Sequence, residues 1–326
     1  MTLRMVFDRE DLQRIRIAET PDPMWELVLS SHRLRDPRPS SWRQRVQLNA
    51  RQDEHSARAL KTLFTLVPPK GDFPDFLTPA VQPGSLESGC EAVACTPRRR
   101  LRADLRTVFT GGAPQWVKRL ADGDREQVHR VVGALRDAYD LVIAPICHSV
   151  RETVAADRAE RVRTLSGEGA GALVSGIPGV RGWDGEVLEI AYPAARTVRL
   201  DGRGLTLVPS HFCSGKPVTL IDPALPPVLI YSTGRPATVP AATTPALVAL
   251  LGRTRAESLG ALRVPRTTSK LASCLGTSIG TASKQAAVLR EAGLVTSVRQ
   301  GGAILHHLTR LGTALLAAEL HEGTCP

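Results

Sequence analysis

In "TSIGTASKQAAVLREAGLV" (277–295), Thr281, Lys284 and Gln285 stand three to four residues apart, with Val288 one turn further on. Hydroxyl, ammonium and carboxamide groups at that spacing project from one face of a helix, where they can donate to and accept from base edges in a DNA major groove. Lys284 to a guanine is the single contact that this chemistry favours most. Ser278 stands where a capping hydroxyl belongs, and the same group could meet a phosphate. Gly280 and Ser283 keep the approach small, and Arg266, Arg290, Arg299 and Gln300 are candidate backbone contacts. A merely solvated helix face would carry more acids and i,i+4 ion pairs; none occurs here before Glu291.

Those side chains need a frame to hold them. Just upstream, "RTTSKLASCLG" (266–276) predicts a short helix capped by Thr267, with Leu271 and Leu275 on one face and Gly276 as its stop. Only Thr277 and Ser278 separate it from the next helix. So tight a turn forces two short helices to cross rather than lie alongside each other, as in a helix-turn-helix. On the second helix Ala282, Ala286 and Leu289 share the face opposite Thr281, Lys284 and Gln285, with Gly293 continuing the row. "VTSVRQGGAILHHLT" (295–309) then reads as strand, Gly301–Gly302 turn and strand, with Arg299 and Gln300 at the tip, and 310–323 as an amphipathic helix.

"RTTSKLASCLGTSIGTASKQAAVLREAGLV…RQGGAILHHLTRLGTALL" resembles the winged-helix domain of ArsR-type bacterial transcriptional regulators, most specifically in "VLREAGLV" and the LT-x-x-G after the hairpin. The resemblance covers about a quarter of the chain. It implies a homodimer on an inverted-repeat operator, joined through the helices near 245–251 and 309–322. Metal-sensing members carry a cysteine motif in the helix before the turn; here that helix has only Cys274, and His321 and Glu322 lack partners on the last helix. No metal or cofactor is therefore expected. "PDFLTP" (74–79), "LDGRGLTLVPSHF" (200–212) and "VLIYSTGR" (228–235) resemble actinobacterial ArsR-like regulators with a long N-terminal extension.

Composition agrees with an anionic partner. The 326 residues carry a formal charge of +10, and 245–310 hold nine Lys/Arg against two acids. No apolar run approaches the length of a membrane span, and "MTLRMVFDREDL" becomes charged too early for a secretory signal. Six scattered cysteines suggest no disulfide framework, so a cytoplasmic location is expected.

The preceding region is expected to be α+β: helix-rich, with a small β-rich part near 182–232. Helices are predicted through 8–66, broken at Pro23 and running unbroken from Trp42 to Leu66, and again over 86–109 and 124–165. The "DGRG" at 201–204 suits a hairpin turn. "PPKGDFPDFLTPAVQPGS" (68–85) is a loop holding Phe73 and Phe76, which with Trp25, Trp42, Trp116 and Trp183 belong to the core or line a cavity. "TGRPATVPAATTP" has the composition of a linker. The boundaries expected are 1–232 for an N-terminal dimerisation or sensor domain, 233–244 for the linker and 245–326 for the winged helix.

The catalytic-looking fragments of this region are weak. "GEGAGA" (167–172) follows a helix rather than the strand that dinucleotide binding needs, and "SGKP" (214–217) lacks the glycine and hydroxyl of a phosphate loop. Ser210, His211 and Asp222 have the residue types of a nucleophilic triad, but "VPSHF" lacks the glycines of a nucleophile elbow. Cys147–His148 and His211-x-Cys213 would make a metal site only by converging in space. The expectation is a non-enzymatic, DNA-binding regulator. Its N-terminal domain would sense a small-molecule effector, serve as a ligand-free dimerisation or protein-contact module, or, least favoured, be a fused enzyme.

Overall fold

The computed structural model describes residues 1–37, 40–69, 71–79, 84–233, 245–262, 265–300 and 302–317. The chain is a mixture of helices and small sheets of the α+β kind, divided into two compact units, Met1–Gly234 and Arg235–Pro326. The linker expected over 233–244 lies, beyond Thr233, outside the described residues, as do His321, Glu322 and Cys325. No helix among the described residues is long and apolar enough to cross a membrane.

The N-terminal unit begins with a strand, β1 (Thr2–Val6), where the sequence showed only a charged lead-in. Its alternation is short but clean: Leu3 and Met5 are buried, and Arg4 on the other face pairs with Glu189 at 3.6 Å. The helix expected from residue 8 is instead one 3-10 turn (Asp11–Arg14) followed by β2 (Arg16–Ile17). Asp11 explains the difference. Its carboxylate accepts from the backbone N–H of Asp8 and of Gly204, which turns the chain back toward a distant segment.

Helix α1 (Pro23–Leu34) starts where Pro23 and Asp22 direct it, the Asp22 carboxylate accepting from the N–H groups of Met24 and Trp25. The long helix expected over 42–66 is two, α2 (Ser41–Gln52) and α3 (Glu54–Leu66). Asp53 leaves the helical conformation and uses its side chain to cap α3 through the N–H groups of His55 and Ser56. Next come α4 (Leu86–Ala94), α5 (Arg98–Val108), α6 (Gln115–Ala121), α7 (Arg125–Val142) and α8 (Cys147–Ser175). Helix α6 fills a stretch for which no helix was expected. Helix α8 runs past residue 165 and swallows "GEGAGA", broken only where Gly169 adopts a φ of 87°.

Five strands follow: β3 (Val180–Trp183), β4 (Val187–Ala191), β5 (Arg196–Arg199), β6 (Thr206–Ser210) and β7 (Val228–Ser232). They join the two N-terminal strands in two sheets, of order β3-β4-β1-β5 and β2-β6-β7. The "DGRG" turn is therefore no hairpin, because β5 and β6 belong to different sheets. The second sheet is wholly parallel and covered on both faces, so its strands read as nearly continuous apolar runs. Val208 and Ile230 face the helical core, while Leu207, Leu229 and Tyr231 face a second core with Leu3, Met5 and Leu188.

The C-terminal unit contains α9 (Pro245–Leu251), α10 (Arg253–Ala261), β8 (Arg266–Thr267), α11 (Thr268–Leu275), α12 (Ile279–Glu291), β9 (Val295–Gln300), β10 (Ala303–Leu308) and α13 (Arg310–Ala317). Its sheet has the order β8-β10-β9, all antiparallel. One core holds Leu259, Leu271, Ala282, Ala286, Leu289, Leu294 and Leu316.

Candidate nucleic-acid interface

Helix α11 starts at the Thr267 hydroxyl, which accepts from Lys270 N–H at 3.3 Å, and stops at Gly276, whose φ of 63° suits glycine. Three residues later α12 begins. Ser278 Oγ accepts from Thr281 N–H at 3.2 Å and lies 2.9 Å from Thr281 Oγ1. Ala282, Ala286 and Leu289 are buried, and α12 packs on α10 and α11. Alanine at two of those three positions lets the helices approach closely.

The outward face is less uniform than the sequence suggested. Ser278, Gly280, Thr281, Ser283, Lys284 and Arg290 are exposed. Gln285 and Val288 are half-buried, and Gln285 Oε1 is shielded from solvent with no hydrogen-bond partner among the described residues. The Thr281 hydroxyl is shared with Ser278 rather than free. Ile279 is absent from the expected set, yet it is 58% exposed beside Gly280. An apolar residue at the start of a helix gave no signal for this, since core and surface isoleucines look alike in sequence.

The hairpin β9–β10 follows α12 after Gly293 and Leu294. Arg299 is exposed and sits in register with Ile304. Gln300 is placed by its backbone opposite Ala303, and its side chain lies outside the described residues, as does Gly301. Arg266, half-buried on β8, spends its Nε–H on the carbonyl of Ala261 at 2.8 Å, leaving the outer nitrogens of the guanidinium.

His306 anchors the hairpin. It is buried, with Nε2 2.9 Å from Thr268 Oγ1 and Nδ1 2.8 Å from Ser297 Oγ, whereas His307 beside it is half-buried. Burial holds the His306 imidazole below its ordinary pKa, and Arg290 and His307 push the same way. The ring is therefore neutral near pH 7 and ties the start of α11 to β9.

The LT-x-x-G stretch has a physical basis. Thr309 Oγ1 donates to the carbonyl of Gly293 at 2.7 Å and accepts from Gly312 N–H at 3.1 Å, which fixes the start of α13. A Cβ on Gly312 would overlap the carbonyl oxygen of Leu294, so only glycine lets α13 come this close to the end of α12.

In the N-terminal unit, Ser210 is committed to structure. Its hydroxyl donates to Glu26 Oε2 at 3.0 Å and accepts from Cys213 N–H at 3.0 Å. The N–H groups of His211 and Phe212 also donate to the Glu26 carboxylate. Burial nevertheless pushes the Glu26 carboxyl up to about 7, against these three bonds, and the Cys213 thiol up to about 12. Asp222 accepts from Ala224 N–H instead of joining Ser210 and His211. His148 pairs with Glu152, and no group of three metal-ligating side chains occurs among the described residues. Glu26 also lines a cavity of about 200 Å³ with Pro23, Tyr139, Cys147 and Arg151. Trp25, Phe73 and Phe76 are buried in the helical core; Trp42 and Trp116 pack partly buried against it, and Trp183 does so against the second core.

No family model matches the chain, and no curated protein or solved structure matches it either.

Proposed function

We propose that the C-terminal unit is a winged helix-turn-helix and that the protein is a sequence-specific, DNA-binding transcriptional regulator of the ArsR-like kind. One observation carries this reading. Two helices joined by Gly276, Thr277 and Ser278 are followed at once by a hairpin, and the second helix exposes small polar residues and Lys284 at its N-terminal half. In that role α12 enters the major groove, Lys284 takes a guanine, and the Gln285 amide and Thr281 read neighbouring edges. Ile279 offers an apolar contact for a thymine methyl. Ser278, Arg266, Arg290 and Arg299 serve the phosphates, with Gln300 at the hairpin tip.

The protein so read is a cytoplasmic homodimer on an inverted repeat, without catalytic residues. Its N-terminal unit senses a small ligand, for which the cavity beside Glu26 is the natural place. A rise in melting temperature with one member of a metabolite panel supports sensing; dimerisation without any such rise favours a ligand-free module.

Fluorescence anisotropy on DNA from upstream of the protein's own gene tests the central claim, with Lys284→Ala/Gln285→Ala as the comparison. Tight wild-type binding that falls to random-DNA levels in the variant is expected. Equal affinity for random DNA would reduce the interface to non-specific electrostatics.

A further inference from the structure

Two stretches of the chain carry a large excess of positive charge and bear on contact with a polyanion. Residues 245–310 hold nine Lys/Arg against two acids, and residues 98–122 hold seven against two. Their excess together surpasses the +10 of the whole chain, so the remainder sums to a small net negative charge, even with a further basic stretch at 33–51. The first segment carries the candidate interface. The second, in the N-terminal unit, has no part in anything described so far.

Its geometry turns the cations outward. On α5, Arg98, Arg99, Arg102 and Arg106 fall within an arc of about 100°, while Leu101 and Leu105 are buried. Arg98 reaches Asp122 Oδ1 at 3.2 Å, and Arg102 pairs with the same carboxylate, tying α5 to the end of α6. Lys118 and Arg119 precede Asp122 by four and three residues, which puts them one turn away on its side of α6. The other acid of the segment turns inward: Asp104 is buried and accepts from Phe76 N–H at 2.8 Å. Within residues 98–122 one exposed carboxylate, Asp122, thus stands against six outward cations, two of which it pairs with. Arg99, Arg106, Lys118 and Arg119 are exposed and have no ion-pair partner among the described residues.

Helix electrostatics point the same way. The first turn of α5 holds Arg98, Arg99 and Arg100 with no acid, and Pro97 supplies no side-chain cap. Cations there oppose the positive end of the helix dipole. Arg98 is compensated by Asp122 and Arg100 by Asp104 at 3.8 Å, but Arg99 gains nothing. A local stability rule broken without a packing gain is expected where a surface is kept for contact.

We propose that the α5–α6 face of the N-terminal unit is a second, sequence-independent contact for the phosphate backbone of duplex DNA. It rests on the DNA-binding reading only for the identity of the polyanion.

The test uses the full-length protein and Arg99→Gln/Arg106→Gln/Arg119→Gln, with Lys284→Ala alongside. Binding to a duplex of about six helical turns is followed over a range of salt concentrations. Three lost phosphate contacts should lower the slope of log K against log salt by about 2–3, with the melting temperature unchanged. An unchanged slope overturns the proposal, even if Lys284→Ala abolishes sequence preference and so upholds the regulator reading. A lowered slope with no effect of Lys284→Ala upholds the proposal and removes sequence-specific readout by α12. Loss of binding to phosphatidylserine vesicles with an unchanged DNA slope would overturn it in favour of an anionic membrane surface.

Discussion

Ser210 Oγ donates to Glu26 Oε2 at 3.0 Å, joining the end of β6 to the first turn of α1 across 184 residues of sequence. With the N–H groups of His211 and Phe212 on the same carboxylate, this junction has three donors and one buried acid. Its carboxyl is raised from 4.5 to about 7 in the folded protein. The unfolded chain therefore holds fewer protons between those values, so the stabilisation is complete below about pH 4.5 and is lost as pH rises through 7. The slope should approach about 1.4 kcal/mol per pH unit within that window. Chemical denaturation of Glu26→Gln should lose this component; an identical pH profile in the variant would show that Glu26 does not titrate there. Glu26→Ala strands all three donors and should cost about 3 kcal/mol or more.

Ser278 has two jobs in the proposed interface, capping and phosphate contact, and they can be separated. Ser278→Ala should destabilise the C-terminal unit by about 1 kcal/mol. Ser278→Asp keeps a good cap but sets a negative charge against the DNA. Its melting temperature should match the wild type while DNA affinity drops sharply. Retained affinity in Ser278→Asp would remove this residue from the interface.

His306 gives the C-terminal unit the opposite pH response to Glu26. Its folded pKa is below the ordinary 6.5, so the neutral ring's contribution is present above that value and is lost as pH falls. Amide protection in β9 and β10, taken relative to the intrinsic exchange rate at each pH, should fall between about pH 7.5 and about pH 5.5 more than protection in α7 does. His306→Phe should abolish that difference; persistence in the variant would assign the sensitivity elsewhere.

Gly312→Ala would normally favour a helix by about 1 kcal/mol. Here the added carbon meets the Leu294 carbonyl, which also accepts from Thr309 N–H. Thermal unfolding should therefore show destabilisation, with α13 the first segment to lose protection. A stabilised variant would mean that α13 does not pack as described.

The C-terminal unit was the more legible half because its determinants are local. Thr267, Gly276 and Ser278 cap or stop helices within a few residues of themselves, and Ala282, Ala286 and Leu289 declare their face by spacing alone. What spacing missed was depth: Gln285 lies at the margin of the buried side, and nothing local distinguishes it from Lys284. For the N-terminal unit the sequence predicts mostly helix with late strands, and the structure agrees at that level. The departures share one cause. Asp11, Glu26 and Asp75 collect N–H groups from residues far along the chain, Asp75 from Ile221 and Asp222. A carboxylate that organises a distant loop looks the same in sequence as one on a solvated helix, so β2 and the crossover at "DGRG" were not visible.

The position of β1 has a consequence for biosynthesis. It lies inside its sheet, antiparallel to β4 and parallel to β5. At ribosomal speeds of 5–20 residues per second, roughly 10–40 seconds separate its synthesis from that of either partner. During that interval Leu3 and Met5 have no sheet to enter, while α1–α7 already contain most of their own core. Slowing translation across residues 187–199 should therefore expose the nascent chain to trigger-type holdases or aggregation through this segment, and leave the helical portion protected.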